Sequence, residues 1–166
     1  MKKLYMRQKV FSWKDRFSIQ GEDGSDQYWV EGEFFSLGNK LHLYDMTGNE
    51  VAFIRQKISL KPRFFVYVRG IETAEIVREF SLRPRYTIHG LGWEVRGNFS
   101  GHDFEVFDRE RSIVRVHKAW LSWGDSYEID VLDDRDEINA LAVVLAIDAV
   151  IAETTVAVSA SSSSSS

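Results

Sequence analysis

The sequence predicts a mainly β domain whose strands enclose a hydrophobic C-terminal helix. Two observations lead to this fold class. Up to about residue 132, runs rich in aromatic and β-branched residues recur, with turn residues roughly every 8–12 positions, as in all-β barrels and sandwiches. The pattern then changes, and residues 141–152 are apolar except for one acid, Asp148. A single apolar helix after so many strands is expected to lie among them.

About twelve strands are expected before the helix, each bounded by Gly, Asp, Asn or Ser. The clearest alternation places Leu41 and Leu43 on one face of their strand. Residues 40–56 are predicted to form a hairpin whose turn lies at 47–49. The strands whose bounds the pattern indicates are 28–35, 40–45, 46–56, 63–70, 73–82, 85–90, 93–101, 102–108, 112–123 and 126–133.

The helix is predicted over about 135–153. Asp134 is the expected N-cap, and Glu137, three residues later, completes a capping-box pattern. Acidic residues in the first turn also suit the positive end of the helix dipole. These features place the start of the helix directly after the last strand.

This helix is apolar on every side, which is typical of a helix inside a membrane or enclosed by protein. A membrane span needs about 20 apolar residues. The segment reaches that length only by including Asn139, Asp148 and Glu153, and acids at the bilayer centre are costly. Enclosure by the preceding strands is therefore favoured. The enclosed Asp148 then needs a partner from the wall, expected to be an Arg, a Lys, or a Trp or Tyr donor.

Composition and length indicate one domain over 1–153, followed by an unstructured Ser-rich tail over 154–166. The chain has 166 residues, a net charge of −4 and no cysteines. Disulfides and thiolate metal sites are thereby excluded, and the acidic balance argues against nucleic acid as a partner. The first residues contain no apolar run of a secretory signal, so a cytoplasmic location is expected.

No enzyme is predicted, because no catalytic or cofactor motif is found. The four histidines lack the i,i+4 spacing of a helical zinc pair, so no metal site is assigned. They are His42, His89, His102 and His117. The carboxylates are scattered, and no acid–base pair can be singled out.

Several motifs together resemble the LURP-one-related family, in particular its short bacterial members. They are "VEGEFFSLGNKL" at 30–41, "DMTGNE" at 45–50, "KAWLSWGDSY" at 118–127 and "AIDAV" at 146–150. The resemblance covers roughly 3–153. It implies the tubby C-terminal-like fold, which phospholipid scramblases share: an antiparallel barrel of about twelve strands enclosing a hydrophobic C-terminal α-helix.

The resemblance implies a non-enzymatic module that binds anionic phospholipid headgroups, peripherally associated with membranes. The expected contacts are surface cations, each contributing about 1 kcal/mol near an anionic surface. They are Lys57, Lys61, Arg63, Arg83, Arg85, Arg109, Arg111, Arg115 and Lys118. The same cations also fit solvated strand faces balanced by acids. Two further functions stay open: a protein-interaction or scaffold module in a stress or signalling response, and a scramblase-like lipid mover.

Overall fold

A computed structural model gives the structure of the chain. It describes residues 1–7, 16–33, 38–61, 63–79, 85–99, 101–121 and 124–162. Within these ranges, side chains are described except at 120, 121, 124, 125 and 154–162.

Twelve strands precede one α-helix. The strands are β1 (Lys2–Arg7), β2 (Arg16–Gly21), β3 (Asp26–Glu33), β4 (Lys40–Asp45), β5 (Glu50–Lys57), β6 (Arg63–Val68), β7 (Ile71–Glu79), β8 (Arg85–His89), β9 (Trp93–Asn98), β10 (Asp103–Asp108), β11 (Arg111–Leu121) and β12 (Gly124–Val131). A short 3-10 helix, Asp134–Asp136, leads into α1 (Glu137–Ser162). Two of these strands, β1 and β2, had no bounds assigned from the sequence pattern.

The strands form a closed antiparallel barrel in which each pairs with its neighbours in the chain. Pairing of β1 with β12 closes it, from Lys2 opposite Val131 to Arg7 opposite Ser126. The predicted barrel with an enclosed C-terminal helix is confirmed. Closure leaves no open sheet edge, and this is why every strand can bury one face inside.

Alternation along the strands places apolar side chains inside the barrel. In β4, Leu41 and Leu43 are buried, as predicted, and in β6 Phe64 and Val66 are buried. Helix α1 fills the interior and packs against β5, β6, β7 and β11. Every residue from 140 to 150 is buried, which explains why the helix is apolar on all sides.

The ends of α1 differ from the prediction. Asp133, not Asp134, caps the 3-10 helix that leads into α1, since Asp133 accepts a hydrogen bond from the backbone N–H of Arg135 at 3.1 Å. Glu137 does not complete a capping box and instead contacts the wall. The helix continues to Ser162, nine residues past the predicted end at 153. Those nine residues extend it by about 13 Å.

Antiparallel order assigns each connection to one end of the barrel. We call the end where α1 begins the helix-start rim, formed by the connections after even-numbered strands. It comprises 22–25, 46–49, 69–70, 90–92 and 109–110. The opposite end, the helix-end rim, is formed by the connections after odd-numbered strands. Its described connections comprise 38–39, 58–61, 99 and 101–102.

Candidate functional site

The cations predicted to bind headgroups do not form one patch. Four lie at the helix-end rim, where β5 ends and β6 and β8 begin: Lys57, Lys61, Arg63 and Arg85. Two lie at the helix-start rim: Arg109 and Arg111. Arg115 and Lys118 lie along β11. Arg83 lies outside the described residues. The structure therefore separates the predicted set into two opposite ends and one strand.

Several of these cations form ion pairs with neighbouring acidic residues. At the helix-end rim, Lys61 Nζ lies 2.8 Å from Glu79 and Arg63 lies 3.0 Å from Glu75. Both pairs are partly exposed, so each contributes little to stability. They do, however, lower the net positive charge that the rim presents to an anion.

At the helix-start rim, one arginine forms ion pairs with more than one acidic residue. Arg111 contacts Asp108 at 3.2 Å, Asp133 at 2.8 Å and Asp136 at 3.2 Å. Three carboxylates around one guanidinium leave a local excess of negative charge. Arg111 therefore fits a structural link between the β10–β11 turn and the start of the helix better than an anion site.

Two helix-end cations remain accessible. Lys57 and Arg85 are exposed, and within the described part of the chain no acid lies in ion-pair contact with either. Lys57 lies directly opposite Arg63 in the β5–β6 ladder, and its Nζ is 5.9 Å from the centre of the Phe65 ring. Like charges side by side on a ladder are unfavourable unless an anion or solvent screens them.

Exposed apolar side chains lie between these cations. In the β5–β6 connection, Ile58 is 64% exposed and Leu60 is 97% exposed. Lys57 precedes them and Lys61 follows. The cations predicted from the sequence include Lys57, Lys61 and Arg63, but not the apolar residues between them. The missed signal is that Ile58 and Leu60 follow the end of a strand, in a connection whose side chains do not reach the core.

The segment of α1 around Glu153 lies beside this connection. Glu153 accepts a hydrogen bond from Asn39 Nδ2 at 3.1 Å, and the backbone N–H of Gln56 donates to the Asn39 carbonyl at 2.8 Å. Gln56 is two residues before Ile58. Burial raises the pKa of the Glu153 carboxyl, and the hydrogen bonds from Gln56 and Asn39 only partly oppose this. The helix thus leaves the barrel next to the apolar connection.

Asp148 has a wall partner, but of a different residue type from those predicted. Its Oδ1 lies 2.7 Å from Nε2 of His102, in the β9–β10 turn. Both side chains are largely buried, and the His102 ring stacks on Tyr127 with 4.3 Å between centroids. The expected Arg, Lys, Trp or Tyr donor was wrong. The imidazole can reach Asp148 because the β9–β10 turn lies over the helix at the helix-end rim.

The apolar character of α1 is also compatible with a helix inside a membrane. Over the described residues, no helix is long and apolar enough to cross a membrane.

Comparisons with known proteins extend over nearly the same residues. Residues 2–148 match the sequence model of the LURP-one-related family. The chain is 37% identical over 153 residues to the uncharacterized protein YxjI of Bacillus subtilis (strain 168), covering 91% of this chain and 94% of that protein. It also resembles the X-ray structure of a protein from Arabidopsis thaliana, with a TM-score of 0.58 and 18% identity, over 89% of this chain and 91% of that one. The likeness to the plant protein shows a shared fold alone.

Proposed function

Because the chain belongs to the LURP-one-related family, we propose that it is a non-enzymatic binding domain that docks on anionic membrane surfaces through its helix-end rim. The observation that carries this proposal is the β5–β6 connection, with two exposed apolar side chains between cations. Apolar groups rimmed by charge are typical of interaction sites. Lys57 and Arg85 supply attraction to headgroups, while Ile58 and Leu60 supply apolar contact below them.

The energies favour a weak and reversible association. Full burial of an Ile or Leu side chain contributes about 1.5–3 kcal/mol. Each cation near an anionic surface adds about 1 kcal/mol. Two of each give roughly 5–8 kcal/mol before the cost of immobilising the protein. The net charge of −4 opposes approach from other directions, so orientation by the helix-end rim is essential.

Vesicle co-sedimentation at low ionic strength tests the proposal. Three vesicle compositions are compared: phosphatidylcholine alone, with phosphatidylserine, and with a phosphoinositide. We expect binding only to the two anionic mixtures, and weaker binding as salt is raised. The phosphoinositide arm separates recognition of a multiply charged headgroup from attraction to surface charge. Absence of sedimentation with every anionic mixture would sink the lipid hypothesis and leave the protein-interaction function that the resemblance implies.

Matched variants locate the contact on one rim. The double change Ile58→Ser and Leu60→Ser should reduce bound protein several-fold without changing stability. Its control is Ile71→Ser, since Ile71 is 70% exposed but lies at the helix-start rim. Lys57→Gln with Arg85→Gln is compared in the same way with Arg109→Gln. Equal losses from both rims would contradict docking through the helix-end rim.

A further inference from the structure

Three potential metal ligands meet on the outer face of the barrel. His117 on β11 lies directly opposite Glu128 on β12, and Asp130 lies two residues further along the same face of β12. One ligand atom from each lies within 4.8 Å of the other two. We call these three residues the β11–β12 cluster. Spacing along the chain could not reveal it, because the ligands come from different strands.

Asp130 supplies an independent sign that a cation belongs here. The residue is only 7% exposed, and its buried Oδ1 has no hydrogen-bond partner among the described residues. Buried carboxylate oxygens are rarely left without one, since desolvation without compensation is costly. Lys3 Nζ forms an ion pair with that oxygen at 3.6 Å, beyond the distance of a hydrogen bond. Arg115 lies opposite Asp130 in the ladder, but its guanidinium is held 3.0 Å from Glu105.

Glu128 lies close to both other members of the cluster, since it faces His117 across the ladder and lies two residues before Asp130 on the same face. His117 Nε2 already lies 3.6 Å from Glu128 Oε1. Two donors on one Zn²⁺ ion are roughly 3.3 Å apart, so this pair needs little movement, while the separations to Asp130, within 4.8 Å, leave more to close.

We propose that the β11–β12 cluster is a binding site for Zn²⁺, in which the metal ion replaces the ammonium group of Lys3. One imidazole nitrogen and two carboxylate oxygens form a ligand set that suits zinc and leaves a fourth position open to water. Lys3 is well placed to leave, because its side chain is 31% exposed and its flexible stem can move the charge into solvent. This site is separate from the proposed membrane contact and does not depend on it.

Calorimetric titration of the full chain with ZnCl₂ tests the site, with Co²⁺ absorption as a second readout of coordination. We expect one Zn²⁺ per chain, and visible Co²⁺ bands of a nitrogen–oxygen site. His117→Gln and Asp130→Asn should each weaken binding at least tenfold. Lys3→Met should strengthen binding by removing the competing charge. The control His89→Gln, a change in an exposed histidine on β8, should leave affinity unchanged.

Three results would overturn the proposal. They are no saturable heat with the wild-type chain, unchanged affinity in His117→Gln, and unchanged or weaker affinity in Lys3→Met. Circular dichroism of each variant verifies folding. His117→Gln is the decisive variant because His117 is partly exposed and its replacement disturbs the wall least.

Discussion

Helix α1 meets different surroundings where it begins and where it leaves the barrel. At the helix-start rim, Glu137 accepts hydrogen bonds from Lys2 at 2.6 Å and from the Tyr28 hydroxyl at 2.5 Å. At the helix-end rim, Asp148 pairs with His102, and Glu153 contacts a neighbouring connection through Asn39. Polar side chains of α1 thus form hydrogen bonds with the barrel wall at both rims. The two rims differ in which charged and apolar side chains are exposed around these contacts.

The two rims differ in how their predicted cations are paired, although each exposes some groups, such as Arg109 and Ile71 at the helix-start rim. Arg111 is surrounded by three carboxylates at one end, while Lys57 and Arg85 are exposed at the other. Among the leucines whose side chains the structure describes, the most exposed, Leu60, also belongs to the helix-end rim. A cation's ion-pair partners in the folded protein, more than its presence in the sequence, therefore decide whether it is available to bind a ligand.

The largest expected effect is on the free energy of unfolding. It compares the same change, Leu→Ala, in the enclosed helix and at the exposed rim. Leu145→Ala removes a side chain that is fully buried inside the barrel, and should lower the free energy of unfolding by about 2–5 kcal/mol. Leu60→Ala removes the same atoms from a 97% exposed site and should leave stability unchanged. Urea denaturation measures both. A similar loss from both changes would mean that the β5–β6 connection packs against something in solution.

A smaller effect is expected from the buried pair at the helix-end rim. A double-mutant cycle with Asp148→Ala and His102→Asn should give a coupling energy of about 1–3 kcal/mol. Asn is chosen because His102 has a φ of 50°, and Asn tolerates this left-handed conformation. Urea denaturation of the four proteins gives the coupling. A value near zero would mean that Asp148 is satisfied by another group.

The sequence predicts the enclosed helix well, because apolarity on every side leaves few other places for it. The resemblance supplied the barrel, and alternation such as Leu41 and Leu43 supplied the strand faces. Contacts between distant residues could not be predicted. His102 and Asp148 meet only because the β9–β10 turn lies over the helix, and no local pattern records that. The cap was misplaced because the capping-box pattern of Asp134 with Glu137 favours Asp134, whereas a 3-10 turn capped by Asp133 begins one residue earlier.

The exposure of Ile58 and Leu60 was missed for a related reason. Apolar residues between strands are usually counted toward the core, and only the register of β5 with β6 reveals that the connection projects beyond the wall. The acidic partners of Lys61 and Arg63 likewise come from β7. The pairing of neighbouring strands therefore decides which of the predicted binding residues are accessible to a ligand. Composition alone does not decide it.

The smallest expected effect is a pH dependence of opposite sign at the two rims. At the helix-start rim, hydrogen bonds from Thr47 and Asn49 lower the pKa of Asp45 from 3.8 to about 2. A lowered pKa means that the unfolded chain binds the proton more tightly, so this contribution to stability is present above pH 3.8 and is lost toward pH 2. At the helix-end rim, burial raises the pKa of Glu153 above 4.5. Its contribution is present below pH 4.5 and is lost as pH rises through the raised value.

Two neutral variants isolate these contributions. Asp45→Asn should flatten the fall in stability between pH 3.8 and about 2, while Glu153→Gln should remove a decline that begins above pH 4.5. The measurement is the midpoint of thermal unfolding at closely spaced pH values. Each variant serves as the control for the other, because the two windows lie on opposite sides of pH 4. If Glu153→Gln steepened the decline instead of removing it, ionised Glu153 would be better satisfied at the helix-end rim than in water, and the contrast between the rims would fail there.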